Sequence, residues 1–230
     1  MVSAIILAAG RGRRMGSEIP KQYLPLLGRP LLVYSLMAYE KSAVDRMVLV
    51  IDPSDRARVD AILDRYPMTK LAAIVTGGRE RYDSVYAGLE AVSGGSVLIH
   101  DGARALIQEE EINAAVDALS AGGACVVGMP VKDTIKEVDE AGLVVRTPDR
   151  SRLWQVQTPQ CFFREEIREA YAKYLGEGRS GATDDAMIYE QMTGKKVSMI
   201  EGSYENFKIT TEEDLILAET ILGRRGWTRA

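Results

Sequence analysis

Short apolar runs alternate along this chain with stretches of helical periodicity. The apolar, strand-like runs lie at 2–7, 47–51, 71–75, 97–100 and 125–129. Between them, helical patterns occur at roughly 31–41, 56–66, 80–92 and 109–121. Repeated strand–helix–strand units of this length predict an α/β fold, in which a mostly parallel sheet is covered by helices on both faces.

The first apolar run ends in a loop that contains glycines and basic residues. Arg11, Arg13, Arg14 and Lys21 place four cations within eleven residues, with Glu18 as the acidic residue among them. A buried strand that ends in a glycine-containing turn lets backbone N–H groups approach an anion closely, and the cations add charge for a phosphate. A solvated basic loop has the same composition, but the position after the first strand favours phosphate binding.

Two familiar phosphate-binding motifs do not match this loop. Met15 and Ser17 stand where a P-loop would need its second glycine after Gly10 or Gly12. The dinucleotide fingerprint G-x-G-x-x-G also fails at Met15, and no acid follows near residues 29–31, where a ribose-binding carboxylate is expected. A nicotinamide-dependent oxidoreductase is therefore a distant alternative.

Composition narrows the class of protein. The chain has 230 residues, of which 46% are hydrophobic and 27% charged, and its net charge is −4. This length suits one large α/β domain, and since no linker or repeat interrupts the chain we expect a single domain over residues 1–230. The negative net charge argues against a nucleic-acid partner, because no overall basic field would attract a polyanion.

The cysteines and the hydropathy of the chain indicate where in the cell the protein is located. Cys125 and Cys161 lie in apolar surroundings without metal-ligand spacing, which is typical of reduced core residues. No stretch approaches the ~20 apolar residues of a membrane span. We therefore expect a cytoplasmic protein without a membrane partner.

Two loops at the carboxyl ends of predicted strands carry candidate ligand-binding residues. Gly77 and Gly78 leave room for a base or ribose, and Ser84 follows near the start of a helix, where its hydroxyl would reach a ligand or simply cap the loop. Asp101 directly follows the fourth apolar run and suits Mg²⁺, which takes one or two carboxylates together with phosphate oxygens. A turn aspartate is the alternative, and His100, the only histidine, is interpreted as structural.

The pattern changes after residue 130. Runs at 134–138 and 143–145 flank Asp139-Glu140-Ala141-Gly142 and predict a β-hairpin. The segment at about 131–158 is long for a connection inside a compact domain, and such arms mediate oligomerisation or cover a site. Thr183 and Thr211 are predicted helix N-caps, Asp184 is assigned a structural role beside the first, and residues 223–230 are predicted to fray.

Several separated motifs together resemble one enzyme family. They are Leu7-Ala8-Ala9-Gly10-x-Gly12-x-Arg14-Met15, Pro20-Lys21-Gln22-Tyr23, Gly77-Gly78 with Asp83-Ser84-Val85, His100-Asp101-x-Ala103-Arg104, Asp133-Thr134, Thr158-Pro159-Gln160, Thr183-Asp184 and Asn206-x-Lys208. This set, spread over about residues 2–222, is similar to that of the 2-C-methyl-D-erythritol 4-phosphate cytidylyltransferases of the non-mevalonate isoprenoid pathway. The resemblance implies a Rossmann-like fold of the nucleotide-diphospho-sugar transferase type with a projecting β-arm.

The resemblance also implies roles for individual residues. It implies that cytidine is held by Ala8, Ala9, Gly10, Gly78 and Ser84. It implies that Arg14, Lys21 and Lys208 are catalytic through the phosphates, and that Asp101 holds Mg²⁺. It implies a methylerythritol pocket shaped by Arg104 and Thr158, and a homodimer in which Thr134 and Arg150 of an exchanged arm contact the substrate phosphate in the partner's site.

Three positions depart from the family pattern. Ala105 stands where the family usually has proline, which would loosen the loop after Arg104. Glu205 replaces a frequent aspartate beside Asn206, which changes its reach towards a partner's Arg150. Arg79 occupies a position that is often acidic or small, and a contact through the backbone alone would tolerate it.

The implied reaction is Mg²⁺-dependent transfer of CMP from CTP to methylerythritol 4-phosphate. A phosphate monoester has a second pKa near 6, so it attacks without a general base and without a covalent enzyme intermediate. Ribitol 5-phosphate is the nearest alternative acceptor, since the sister enzyme shares most of these motifs. A non-catalytic nucleotide-binding module is the alternative from a different class, and the retained lysines, Arg14 and Asp101 argue against it.

Overall fold

The computed structural model describes residues 1–10 and 19–230. Across these residues the strands are β1 (Val2–Ala8), β2 (Pro25–Leu26), β3 (Arg29–Pro30), β4 (Arg46–Ile51), β5 (Leu71–Thr76), β6 (Ser96–Asp101), β7 (Cys125–Pro130), β8 (Glu137–Val138), β9 (Val144–Arg146), β10 (Trp154–Phe163) and β11 (Ser198–Glu201). The α-helices are α1 (Leu31–Lys41), α2 (Arg56–Arg65), α3 (Arg81–Ala91), α4 (Glu109–Gly122), α5 (Arg164–Gly176), α6 (Asp185–Thr193) and α7 (Glu212–Arg224). Single 3₁₀ turns lie at Lys21–Tyr23, Pro53–Asp55 and Arg150–Arg152.

The described strands build a seven-stranded sheet in the order β11-β7-β10-β6-β1-β4-β5. Its strands run parallel except β10, which is antiparallel to both β6 and β7. The predicted mostly parallel α/β sheet is therefore confirmed. The apolar runs form continuous strands because both faces of such a sheet are buried.

The two faces of the sheet carry separate apolar layers, because successive strand residues point to opposite sides. In β1, Ala4 and Ile6 pack with helices α1, α2 and α4, whereas Ile5 packs with α3, α5 and α6. A third cluster joins α7 to the start of α1 through Leu31 and Leu222. Helices thus cover both faces, as predicted.

The hairpin predicted in the arm is present. Strands β8 and β9 pair antiparallel, and Asp139 Oδ1 accepts hydrogen bonds from the backbone N–H groups of Ala141 and Leu143 at 3.0 and 2.9 Å. Val138, Leu143, Val144 and Val145 expose 52–67% of their surface. These apolar side chains stay largely exposed in the part of the chain that the structure describes.

Two local expectations need correction, and one helix was not predicted. The N-cap of α6 is Asp184 rather than Thr183, and its Oδ1 accepts from the Met187 N–H at 2.9 Å. The C-terminal segment does not fray, because Trp227 packs on Tyr34 at a ring-centroid distance of 4.9 Å and the Ala230 N–H donates to the backbone of the β2–β3 turn. Helix α5 received no assignment from the sequence, although its buried residues follow helical spacing.

Candidate functional site

A cavity of about 310 Å³ opens at the carboxyl edge of the sheet. In-register pairing places Leu7 of β1 beside Asp101 of β6, and Ala8 beside Ile51 of β4, so the loops that follow these strands meet there. The cavity is lined by Leu7, Ala8, Ala9, Gly10, Lys21, Gln22, Gly78, Arg79, Glu80, Arg81, Ser84, Asp101, Ala103, Lys208 and Thr210. Eight residues predicted to bind the nucleotide, the phosphates or a metal are therefore brought together. They are Ala8, Ala9, Gly10, Lys21, Gly78, Ser84, Asp101 and Lys208.

The loop after β1 is fixed at its base by Gln22. The Gln22 side chain is 3% exposed, and its Nε2 donates to the Ala8 carbonyl at 2.6 Å. Ala9 and Gly10 continue from this point along the cavity wall. Arg14, predicted to bind the triphosphate, lies outside the described residues.

The loop after β5 approaches the loop after β1 very closely. A Cβ atom on Gly77 would lie 2.5 Å from the Ala9 Cβ and 2.8 Å from the Ser84 Oγ. Ser84 Oγ accepts from the Gly78 N–H at 3.1 Å and donates to the Glu80 carbonyl at 3.2 Å. Ser84 thus holds the glycine loop against the cavity as well as lining it.

Asp101 carries the main charge interactions of the cavity. Its Oδ2 lies 2.6 Å from Lys208 Nζ, and its Oδ1 lies 3.1 Å from Arg81 Nε. Burial alone would raise the pKa of the Asp101 carboxyl, but the charges of Arg81 and Lys208 outweigh this effect and lower the pKa below its ordinary value. Asp101 is therefore an anion, as a metal ligand must be.

Arg81 and Asp185 are part of the site but were not among the residues predicted for it. Arg81 Nη1 and Nη2 lie 2.7 and 2.9 Å from the two carboxylate oxygens of Asp185. Arg81 belongs to the glycine loop that the sequence marks as a candidate ligand-binding segment. Asp185 follows the Thr183-Asp184 motif, but no sequence pattern links it to a residue 104 positions away.

A second cavity, of about 280 Å³, adjoins the first and shares Arg81, Asp101 and Lys208 with it. Arg104 and Thr158, predicted to shape the acceptor pocket, both line it. Arg104 Nη1 donates to the Asn206 carbonyl at 2.8 Å, and burial lowers the pKa of the Arg104 guanidinium. The acceptor candidates therefore lie next to the metal candidate.

His100 is buried behind these cavities. It is 0% exposed, its Nδ1 lies 3.0 Å from Thr158 Oγ1, and burial lowers its pKa to about 3. Thr158 Oγ1 also accepts from the Asp101 N–H at 3.1 Å. A neutral imidazole with so low a pKa is a poor base at neutral pH, and its contact with Thr158 agrees with the structural interpretation of His100.

Thr134 and Arg150 are not brought to either cavity. Arg150 Nη1 donates to the Lys132 carbonyl at 2.8 Å, within the base of the arm. Glu205, which departs from the family pattern, pairs with Arg224 and Arg225 at the end of α7 of its own chain. Ala105 is buried in the third apolar cluster, so it packs in place of a proline.

The donor set near Asp101 fits a hard divalent ion that is delivered with phosphates. Among residues 1–10 and 19–230, no three His, Cys, Asp or Glu side chains converge as a protein-only metal site. Mg²⁺ does not need one, because it binds through one or two carboxylates and takes its other ligands from phosphate and water. Asp101 lines the cavity and is the carboxylate that could serve such an ion.

The two cysteines agree with the expectation from the sequence. Cys125 and Cys161 are both free and buried. In the part of the chain that the structure describes, no helix has the length and apolar character needed to cross a membrane.

Comparisons with known proteins agree with this geometry. A family model described as 2-C-methyl-D-erythritol 4-phosphate cytidylyltransferase matches residues 2–224. The protein of that name from Geobacillus kaustophilus is 47% identical over 225 residues, which are 96% of this chain and 97% of the relative. The one from Pelotomaculum thermopropionicum is 46% identical over 228 residues, covering 97% and 95% of the two chains.

Solved structures show the same fold. The 4-diphosphocytidyl-2C-methyl-D-erythritol synthase of Anaerococcus prevotii superposes with a TM-score of 0.86 at 34% identity, covering 97% of this chain and 96% of its own. The 2-C-methyl-D-erythritol 4-phosphate cytidylyltransferase of Thermus thermophilus gives a TM-score of 0.77, also at 34% identity, covering 95% and 97%. The chain therefore belongs to the 2-C-methyl-D-erythritol 4-phosphate cytidylyltransferase family.

Proposed function

We propose that this cytidylyltransferase moves CMP from CTP to 2-C-methyl-D-erythritol 4-phosphate in one in-line, Mg²⁺-dependent displacement. The observation that carries the proposal is the position of Asp101 and Lys208, which border both the nucleotide cavity and the adjoining cavity. A reaction between two phosphorylated substrates needs its charged groups at such a junction.

The nucleotide occupies the larger cavity in this proposal. The backbone at Ala8, Ala9, Gly10 and Gly78 leaves space for the cytidine, and Ser84 holds the glycine loop in place. Lys21, on the same wall, faces the triphosphate. Arg14 is assigned to the triphosphate as well, on the family motif alone.

The phosphates lie against Asp101, Lys21 and Lys208. Bound to Asp101, Mg²⁺ would neutralise phosphate charge and favour departure of pyrophosphate. Lys208 Nζ is within reach of the same point, since it already contacts Asp101 Oδ2. Together with Lys21 it stabilises the charge that develops around the α-phosphorus.

The acceptor occupies the smaller cavity, beside Arg104 and Thr158. Its phosphate oxygen attacks the α-phosphorus of CTP, the bond from that phosphorus to the bridging oxygen breaks, and pyrophosphate leaves. The monoester is ionised at neutral pH, so no protein base is required. The buried, neutral His100 is consistent with this route.

The arm at about 131–158 is proposed to join two copies of this single-domain chain. Val138, Leu143, Val144 and Val145 are exposed apolar residues of the hairpin, which a second subunit would cover. Thr134 and Arg150 would then act in the partner's site, since neither lines the nucleotide cavity or the adjoining cavity of its own subunit. A cytoplasmic location stays a prediction, supported by the two free cysteines.

Stereochemistry at phosphorus tests the single displacement. CTP that carries sulfur on the α-phosphorus, as one resolved diastereomer, is converted with methylerythritol 4-phosphate, and the product configuration is assigned by ³¹P spectroscopy. One in-line displacement predicts inversion. Retention would require two displacements, and hence a covalent enzyme intermediate, and would overturn this mechanism.

A further inference from the structure

Arg81 connects two carboxylates that lie far apart in the sequence. Its Nε contacts Asp101 Oδ1 at 3.1 Å, while Nη1 and Nη2 contact Asp185 at 2.7 and 2.9 Å. All three guanidinium nitrogens are therefore used. Arginine can make this bridge because its donors form a rigid planar fork, whereas lysine offers one point charge.

The Asp185 end of this bridge is rigid. The Asp185 side chain is fully buried, and Tyr171 OH donates to its Oδ1 at 2.5 Å. Its backbone N–H donates to Gln160 Oε1 at 3.0 Å, and it is the first residue of α6, where the helix dipole favours a negative charge. Arg81 is thus anchored by a carboxylate that has little freedom to move.

Helix stability does not account for Arg81. It is the first residue of α3, where the dipole disfavours a cation. The capping of α3 is already complete, because Glu80 and Asp83 form a reciprocal capping box. The position of this arginine is explained by what it contacts, which are Asp185 and Asp101.

The two oxygens of Asp101 have partners of different character. Oδ1 contacts the anchored Arg81, and Oδ2 contacts Lys208 Nζ at 2.6 Å. The Lys208 side chain is 35% exposed, against 11% for Asp101, and its flexible stem ends in one ammonium group. Lys208 is therefore the partner that can leave.

We propose that Arg81, anchored by Asp185, is a positioning residue that keeps Oδ1 of Asp101 occupied and presents Oδ2 to the divalent ion. The inference rests on the proposed role of Asp101 as the metal ligand. Lys208, which contacts Oδ2, would turn to the phosphates of a bound nucleotide, and Asp101 would then hold the ion.

The test compares substitutions at Arg81 with a matched control. Arg81→Lys keeps a charge beside Asp185 but cannot bridge both carboxylates, and Arg81→Met removes the charge. Arg168 is the control, since it also bridges two carboxylates, those of Glu165 and Glu90. Its side chain is 30% exposed, against 29% for Arg81. Mn²⁺ binding to the protein–CTP complex is measured by electron paramagnetic resonance without acceptor, beside thermal unfolding.

We expect Arg81→Lys to weaken Mn²⁺ binding in the CTP complex by about 10–100-fold, as is typical when a residue that orients a metal ligand is lost. Arg168→Met should leave it unchanged. The Mg²⁺ concentration for half-maximal rate should rise in parallel. Arg81→Lys keeps the test usable if Arg81→Met does not fold.

Folded Arg81→Lys with wild-type Mn²⁺ affinity would overturn the inference. A second variant, Asp101→Asn, shows whether such a result means that Arg81 has no positioning role or that Asp101 does not hold the metal. If Asp101→Asn abolishes Mn²⁺ binding in the CTP complex while Arg81→Lys does not, the metal site stands and the role of Arg81 fails. If Asp101→Asn also binds Mn²⁺ normally, the assignment of the metal to Asp101 fails.

Discussion

Lys208 Nζ and Asp101 Oδ2 form a 2.6 Å ion pair between residues that are 107 positions apart in the chain. The pair lies where the nucleotide cavity meets the adjoining cavity. A lysine therefore contacts the carboxylate oxygen that the proposal gives to a divalent ion. An ion that binds this oxygen would have to displace the lysine.

Removal of Lys208 should have opposite effects on metal binding and on catalysis. In Lys208→Met, Oδ2 loses its competing cation, so we expect Mn²⁺ to bind the nucleotide-free protein about tenfold more tightly, which corresponds to ~1.4 kcal/mol. Turnover should fall, because the phosphates lose a cation. Titration of Mn²⁺ followed by electron paramagnetic resonance measures the first effect, and unchanged or weaker Mn²⁺ binding would contradict the competition.

Lys21 is expected to act mainly in the transition state. Loss of one charge-stabilising group in a site of this kind costs about 3–4 kcal/mol, or ~10²–10³ in rate, and Lys21→Ala should reach that scale in kcat/KM. Lys195→Ala is the control, since Lys195 pairs with Glu166 at the surface. Near-normal turnover of a folded Lys21→Ala protein would exclude this role.

Gly77 is predicted to be intolerant of any side chain. A methyl group there would lie 2.5 Å from Ala9 Cβ, so Gly77→Ala must push the two nucleotide loops apart. We expect CTP affinity, measured by calorimetry, to fall at least ~10-fold, or about 1.4 kcal/mol. Gly122→Ala is the control, because a methyl group at Gly122 would meet no atom within 4 Å and alanine favours the helix. Equal CTP affinity in Gly77→Ala and wild type would show that the loops do not need this close contact.

His100 should make the protein sensitive to mild acid. Its pKa is about 3 in the folded protein and near 6.5 unfolded, so the unfolded chain binds more protons between these values and stability falls as the pH falls. The contribution of neutral His100 to the free energy of unfolding is complete above about pH 7. It is roughly 2 kcal/mol smaller at pH 5.

The measurement for His100 compares the change in unfolding free energy from pH 7 to pH 5 in wild type and His100→Gln. Other titrating groups are common to both proteins and cancel in the difference. The variant should lose roughly 2 kcal/mol less than wild type over this interval. Identical changes in the two proteins would contradict the account of His100 as a buried, neutral side chain.

The arm should control assembly. Leu143 and Val145 expose 67% and 61% of their surface, so Leu143→Asp with Val145→Asp should place charges in the proposed interface and convert a dimer to a monomer. Sedimentation velocity measures the mass of the particle. Activity should fall as well, because a monomer would lack the Thr134 and Arg150 that the partner's arm brings to its site. A fully active monomeric wild type would contradict the exchanged-arm proposal.

The sequence predicted the site where residues directly follow strands. Ala8, Gly78 and Asp101 each lie at or just after the carboxyl end of a strand, and parallel strands bring those ends to one edge. Their meeting therefore follows from local pattern and topology. The fold was predictable for the same reason, since long apolar runs alternating with amphipathic segments leave few arrangements.

Contacts between residues that are far apart in the sequence could not be predicted from it. Thr158 reaches His100 because β10 inserts antiparallel between β6 and β7, and Arg81 reaches Asp185 across 104 positions of the chain. The C-terminal tail was wrongly predicted to fray for a similar reason. Trp227 gains its order from Tyr34 and from Arg29, which lies 5.4 Å from the indole centroid, and neither partner is near in sequence.

The central claim is tested most directly by Mg²⁺-dependent release of pyrophosphate from CTP, with methylerythritol 4-phosphate and ribitol 5-phosphate supplied in parallel. The account predicts that pyrophosphate is released with methylerythritol 4-phosphate and that this release needs a divalent ion. It also predicts that Asp101→Asn loses the part of the rate that depends on the ion. Release with ribitol 5-phosphate alone, or undiminished release in the presence of excess chelator, would contradict it.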